Sequence, residues 1–134
     1  RVMRDPLELR RRPQYRCARL VRFALAYRKR VRAAQGIATF RTLVSEAPRF
    51  KALARAVYAN GAGEAVRRLS GHLARAMADG RMRRDDPTLA AELLLGMLVG
   101  QDRIKRLFGV AANGESEPRR TARIVDCFLK AFAP

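Results

Sequence analysis

The stretch DDPTLAAELLLGMLVGQDRIKRLF, residues 85–108, decides the fold class. Leu89, Leu93, Met97, Gln101, Ile104 and Phe108 recur at steps of three and four, which places them on one face of an α-helix. Asp86 stands where an N-cap is needed, and Pro87 suits the first turn, where its missing N–H costs no hydrogen bond. From Leu93 to Gly100 the helix is apolar nearly all round, more than a helix with one solvated face requires. In a short chain such a helix needs cover on two sides. Its own domain supplies one, and a second copy of the chain is the economical source of the other. Gly96 and Gly100 form a GxxxG pattern, which in water means two small residues that permit close helix approach.

The same period runs outward in both directions. Downstream, Ser116-Glu117-Pro118 starts a further helix carrying Ile124, Val125, Phe128, Leu129 and Phe132. Upstream, Val66, Leu69, Leu73, Ala76 and Met77 form a stripe that stops at Gly80. Asn60-Gly61-Ala62-Gly63 breaks the chain before it, because each glycine weakens a helix by about 1 kcal/mol. Phe50, Leu53, Val57 and Tyr58 mark a shorter helix, separated by Pro48 from one carrying Ile37, Phe40, Leu43, Val44 and Ala47. After Pro13, the positions Cys17, Leu20, Ala24, Tyr27 and Val31 form one stripe, with Arg16, Arg19, Arg22, Lys29 and Arg30 opposite. The expectation is an all-α fold of about six helices with no sheet.

At 134 residues the chain has room for one domain with one core. Its 29 basic residues face 12 acidic ones, a net charge of +17. Residues 1–32 hold twelve of the basic residues against only Asp5 and Glu8. Such a field attracts polyanions, so one reading is a basic helical protein that binds nucleic acid non-specifically through its arginine-rich first quarter. The plainer reading is a solvated basic face.

The inventory for catalysis is thin. His72 lies between Leu69 and Leu73 with no carboxylate nearby in sequence to orient it, which predicts a packed or pocket-lining residue. Asp85-Asp86 reads as capping before Pro87. Cys17 and Cys127 are far apart, and with one histidine they form no metal-ligand pattern; two reduced cysteines on apolar helix faces are expected. No enzyme activity, cofactor or metal is therefore predicted. No apolar run approaches the roughly 20 residues of a membrane span, and no signal-peptide core opens the chain, so a cytoplasmic protein without a membrane partner is expected. Tyr27, Phe40, Leu43, Tyr58, His72, Met97 and Gln101 mix sparse polar groups with apolar ones, as ligand pockets do.

The run FRTLVSEAPRF, Phe40 to Phe50, resembles a recurrent stretch in the C-terminal regulatory domains of TetR/AcrR-type transcriptional repressors. Leu53–Tyr58, the glycine kink, the helix to Gly80, Asp85-Asp86-Pro87, the Leu93–Gly100 segment and the ending FLKAFAP continue the likeness in order, from about Gln35 to Pro134. The resemblance implies a helical bundle with an effector pocket among its middle helices. It also implies dimerisation through the last two helices, with Leu89, Leu93, Met97, Ile104, Ile124, Phe128 and Phe132 at the interface. A small apolar effector would release DNA from the intact homodimer. DNA would be held by a helix-turn-helix head of which this sequence shows no trace. Residues 1–13 are then expected to be the remnant of the segment connecting that head, and 14–134 the ligand-binding and dimerisation domain. Arg10, Arg11 and Arg12 would face phosphates. Arg28 and Arg32 stand where apolar or small residues are expected, which predicts a loosely packed first helix.

Overall fold

Proline stands in the first turn of three of the six helices in the computed structural model, which describes residues 13–110 and 116–134, with side chains from residue 18. In chain order they are α1 (Pro13–Arg32), α2 (Ala34–Glu46), α3 (Lys51–Asn60), α4 (Ala62–Ala78), α5 (Pro87–Leu107) and α6 (Glu117–Ala131). The described residues contain no strand, and the chain is all-α as its periodicity predicts.

Local chemistry explains most of the boundaries. Asp86 caps α5, its carboxylate accepting the Thr88 N–H at 2.9 Å. Gly80 ends α4 with a φ of 72°, the left-handed region that favours glycine. The N–H of Arg81 reaches back to the Ala76 carbonyl at 2.9 Å and that of Gly80 to Met77 at 3.1 Å, a Schellman closure. Gly109, with a φ of 69°, ends α5 in the same way, Val110 donating to the Lys105 carbonyl at 2.8 Å.

The core is built from the predicted stripes. Leu69, Leu73 and Met77 of α4 meet Ala90, Leu94 and Leu98 of α5, while Val125 and Phe128 of α6 close one side and Ala24 of α1 another. Phe132, just past α6, packs on Phe128 with the rings tilted and their centroids 5.0 Å apart. Arg83 lies across the Phe132 ring and donates its N–H to the Phe132 carbonyl at 2.8 Å, which fastens the chain end to the loop before α5.

Two readings need correction. The first concerns α5, whose axis breaks at Gly100 (φ 15°, ψ −118°). A Cβ added to Gly96 or Gly100 would meet nothing within 4 Å, so neither glycine serves a close approach inside the protomer. The second concerns Arg28, which is only 2% exposed and anchors α1 instead of loosening it. Its Nε and Nη2 donate to the two oxygens of Glu117 at 3.0 and 2.9 Å, Nη2 also reaches Asp102, and Nη1 reaches the Leu98 carbonyl just before the break. Arg32 adds a second ion pair to Glu117, and its carbonyl accepts from Arg106 at 2.9 Å. Buried charge is tolerable here because the guanidinium fork is matched by two carboxylates and a carbonyl.

That network gives stability an acid limb. Burial raises the Asp102 carboxyl, but the hydrogen bond and charge of Arg28, with help from Arg120 and Arg32, hold it below its usual range. Arg28 does the same to Glu117 through its hydrogen bond, against burial and with Arg32 assisting. Both carboxyls bind protons less readily folded than unfolded, so their contribution is complete above the unfolded values and is lost as pH falls through the folded ones. Urea midpoints should stay level above about pH 5 and drop below about pH 4.5. The drop should be shallower in Arg28→Met, where the carboxyls have lost their main partner.

Candidate functional site

Both α1 and α4 pack toward α5, and between them lies a cleft of about 1530 Å³. Its size exceeds the roughly 300–1,000 Å³ of typical small-molecule pockets, and several lining residues are exposed, so it is a wide trough and not a closed chamber. The α1 wall presents Leu20, Phe23, Tyr27 and Val31, with Phe23 and Tyr27 stacked at 6.0 Å and 21°. The opposite wall presents Ala65, Leu69, His72, Leu73 and Ala76 of α4, and Met82 and Leu129 contribute to one end. These are apolar faces turned toward each other without enough bulk to meet.

The polar lining is one-sided in charge. Among the described residues seven arginines border the cleft (Arg19, Arg22, Arg30, Arg68, Arg75, Arg81 and Arg103) against the single carboxylate of Glu64. Glu64 is already engaged with Arg67 and Arg68, which hold it below the usual carboxylate range. Arg103 is held firmly: its guanidinium lies 4.0 Å from the centroid of the Phe40 ring, and its buried Nε has no hydrogen-bond partner. Burial pushes the Tyr27 phenol up, against the nearby charges of Arg103 and Arg30. Tyr27, Arg30 and Arg103 therefore form one polar cluster on the lining, where both arginine charges are felt by the phenol.

Of the seven residues expected at a pocket, the structure brings Tyr27 and His72 to this cleft. Phe40 stands behind it and supports Arg103. Leu43 lies half-buried on α2, and Tyr58 is exposed on α3, which packs on α4 and reaches the cleft at Asn60. Met97 and Gln101 are exposed on the far side of α5. Phe23 and Arg103 were missed. The Phe23/Tyr27 spacing of four residues is a legible signal for the first; the second depends on the break at Gly100 and has none.

The residues expected to pair two copies also divide. Leu89, Leu93 and Met97 form an exposed stripe on α5 before the break at Gly100, with Leu93 45% and Met97 42% exposed, and Ile104 and Phe108 are exposed beyond it. Ile124 is half-buried. Phe128 and Phe132 are 1% and 5% exposed and fill the protomer core, leaving no face for a partner. Cys127 is exposed, not set on an apolar face as expected. Arg10, Arg11, Arg12 and the side chain of Cys17 lie outside the described residues. Among the described residues no His, Cys, Asp or Glu cluster could hold a metal ion, and no helix is long and apolar enough to cross a membrane.

The model of the AefR-like transcriptional repressor C-terminal domain matches residues 18–134. No curated protein and no solved structure matches the chain. A match over most of the sequence, on a fold with the helices and breaks described above, makes this chain a member of the AefR-like family of TetR-type repressor C-terminal domains.

Proposed function

We propose that this domain senses a small molecule in the cleft between α1 and α4 and pairs two copies of the chain through the exposed stripe of α5. In the intact repressor that pairing would set the separation of two DNA-reading heads, and effector binding would release DNA. The work is binding, not catalysis, and it takes place where the DNA is, in the cytoplasm.

The observation that carries this reading is the back-to-back position of the two surfaces. The α4 residues Leu69 and Leu73 line the cleft and belong to the same core as Leu94 and Leu98 of α5. On the outer side of α5 stand Leu89, Leu93 and Met97, beside the open glycines Gly96 and Gly100. A ligand that favours a wider spacing of α1 and α4 thus acts on a helix packed directly against the pairing helix. It shifts the equilibrium only by its difference in affinity for the two spacings.

Sedimentation velocity tests the pairing. The wild-type chain should sediment as a dimer at micromolar concentration. Leu93→Arg with Met97→Glu should weaken the dimer by about a hundredfold or more, since central apolar anchors dominate such interfaces. The melting of the monomer should change little, because both side chains are already in water there. A wild-type chain that stays monomeric at high concentration contradicts the proposal.

A further inference from the structure

The cleft is not neutral, and its charge specifies the ligand more narrowly than apolar size does. The geometry points to an amphipathic anion as the effector, with an apolar chain along Leu20, Phe23 and Leu69 and its anionic head between Arg30, Arg103 and the Tyr27 hydroxyl. This rests on the reading of the cleft as the effector site and deepens it.

Three observations converge on that cluster. Arg103 already lies over Phe40 at 4.0 Å, a contact that restricts its side chain and lowers the entropy to be lost when it takes a ligand. Its Nε is buried and unpartnered, so the hydrogen-bonding capacity of this guanidinium is not spent on the protein there. Arg30 lines the same cleft from α1, and among the described residues no carboxylate neutralises either arginine. Elsewhere on the lining Arg81 is tied to Asp79 at 2.9 Å and Arg68 to Glu64, while Arg19, Arg22 and Arg75 are exposed along the walls, with no aromatic ring among the described residues to hold them. Between Arg30 and Leu20 the α1 wall runs ten residues, about 15 Å at the helical rise, roughly the length of an extended twelve-carbon chain. A neutral apolar ligand would fill the walls and leave the arginine cluster unsatisfied. A cation would be repelled by it.

Calorimetric titration of the chain at 150 mM salt tests this, with dodecanoate, dodecyl phosphate, dodecanol and dodecyltrimethylammonium, each below its micellar concentration. Both anions should bind at least about tenfold more tightly than the alcohol, as charge-assisted hydrogen bonds require, and the cation should not bind. The two anions separate a carboxylate head from a phosphate head. Arg30→Gln with Arg103→Gln should weaken the anions by about tenfold and leave dodecanol unchanged. Because the whole chain is basic, the control is Arg55→Gln with Arg84→Gln, which removes the same charge away from the cleft. It should have no effect, and a loss equal to that of the cleft pair overturns the proposal. So does dodecanol binding as tightly as dodecanoate, or no binding by either anion.

The cleft reading itself has a separate probe, the neutral dye N-phenyl-1-naphthylamine. Its emission should rise with the wild-type chain and rise less with Ala65→Trp or His72→Trp, each of which narrows the trough from the α4 wall, provided circular dichroism shows both variants folded. Dye binding that both variants leave intact removes the cleft as a site. Dye binding weakened in them, with no preference for anions, removes only the anionic head.

Discussion

Arg28→Met should destabilise the domain by about 3 kcal/mol, the lower end of what breaking a buried ion pair costs. The side chain is 2% exposed and serves Glu117, Asp102 and the Leu98 carbonyl at once. Methionine fills a similar volume but offers none of these donors. Asp102 is 15% and Glu117 35% exposed, so each recovers some hydration, which keeps the loss from reaching the upper end of the range. Urea unfolding at neutral pH, followed by circular dichroism, measures it. Adding Asp102→Asn to Arg28→Met should then cost less than the sum of the two single changes, because the orphaned charge disappears with its partner. Strict additivity would mean that the two groups do not interact energetically. The consequence for function is positional: this network ties the end of α1 to α5 at its break and to the start of α6, and α1 is one wall of the cleft.

Phe128→Ala should cost about 3–5 kcal/mol, the usual loss for a large aromatic removed from a tight core. Phe128 is 1% exposed, packs against Phe132 at 5.0 Å, and sits in the cluster that joins α4, α5 and α6. Alanine would leave a cavity that neighbours on three elements cannot all collapse into. Leu93→Ala provides the contrast, with an expected change within about 1 kcal/mol for the monomer, since that side chain is exposed there. Both substitutions remove an apolar side chain expected at a dimer interface, and only one should unfold the protomer. Thermal melting of the two variants on the Leu93→Arg, Met97→Glu background separates fold from pairing. If Phe128→Ala melts like the parent, Phe128 is not a core residue.

Much of the fold was legible because helix boundaries are local chemistry. Asp86-Pro87 announces a helix start through a side-chain oxygen and a missing N–H, both within one turn of the position they define. Gly80 announces a stop because the closing backbone needs a left-handed residue. The candidate site was legible only in part. Tyr27 lies on a stripe that faces the interior and the exposed His72 borders the buried Leu69 and Leu73, but Met97 and Gln101 lie on an equally apolar stripe that faces outward. Periodicity reports that a face is apolar and is silent on what covers it.

Arg28 shows the same limit from the other side. On α1 it interrupts the expectation of an apolar or small residue, and by residue type alone it reads as a packing defect. Its partners stand seventy to ninety positions away, at Leu98, Asp102 and Glu117. They meet it only because α1 packs on both α5 and α6.

The sequence by itself determined the helices, their caps and stops, the apolar stripes that build the core, and the excess of positive charge. Each of these follows from interactions within a few residues or from composition. Only the tertiary structure decided that Arg28 is buried and paired, that Phe128 and Phe132 belong to the protomer core, and that an arginine-lined trough separates α1 from α4. Those outcomes depend on which helix faces meet, and that choice is made by packing between segments far apart in the chain.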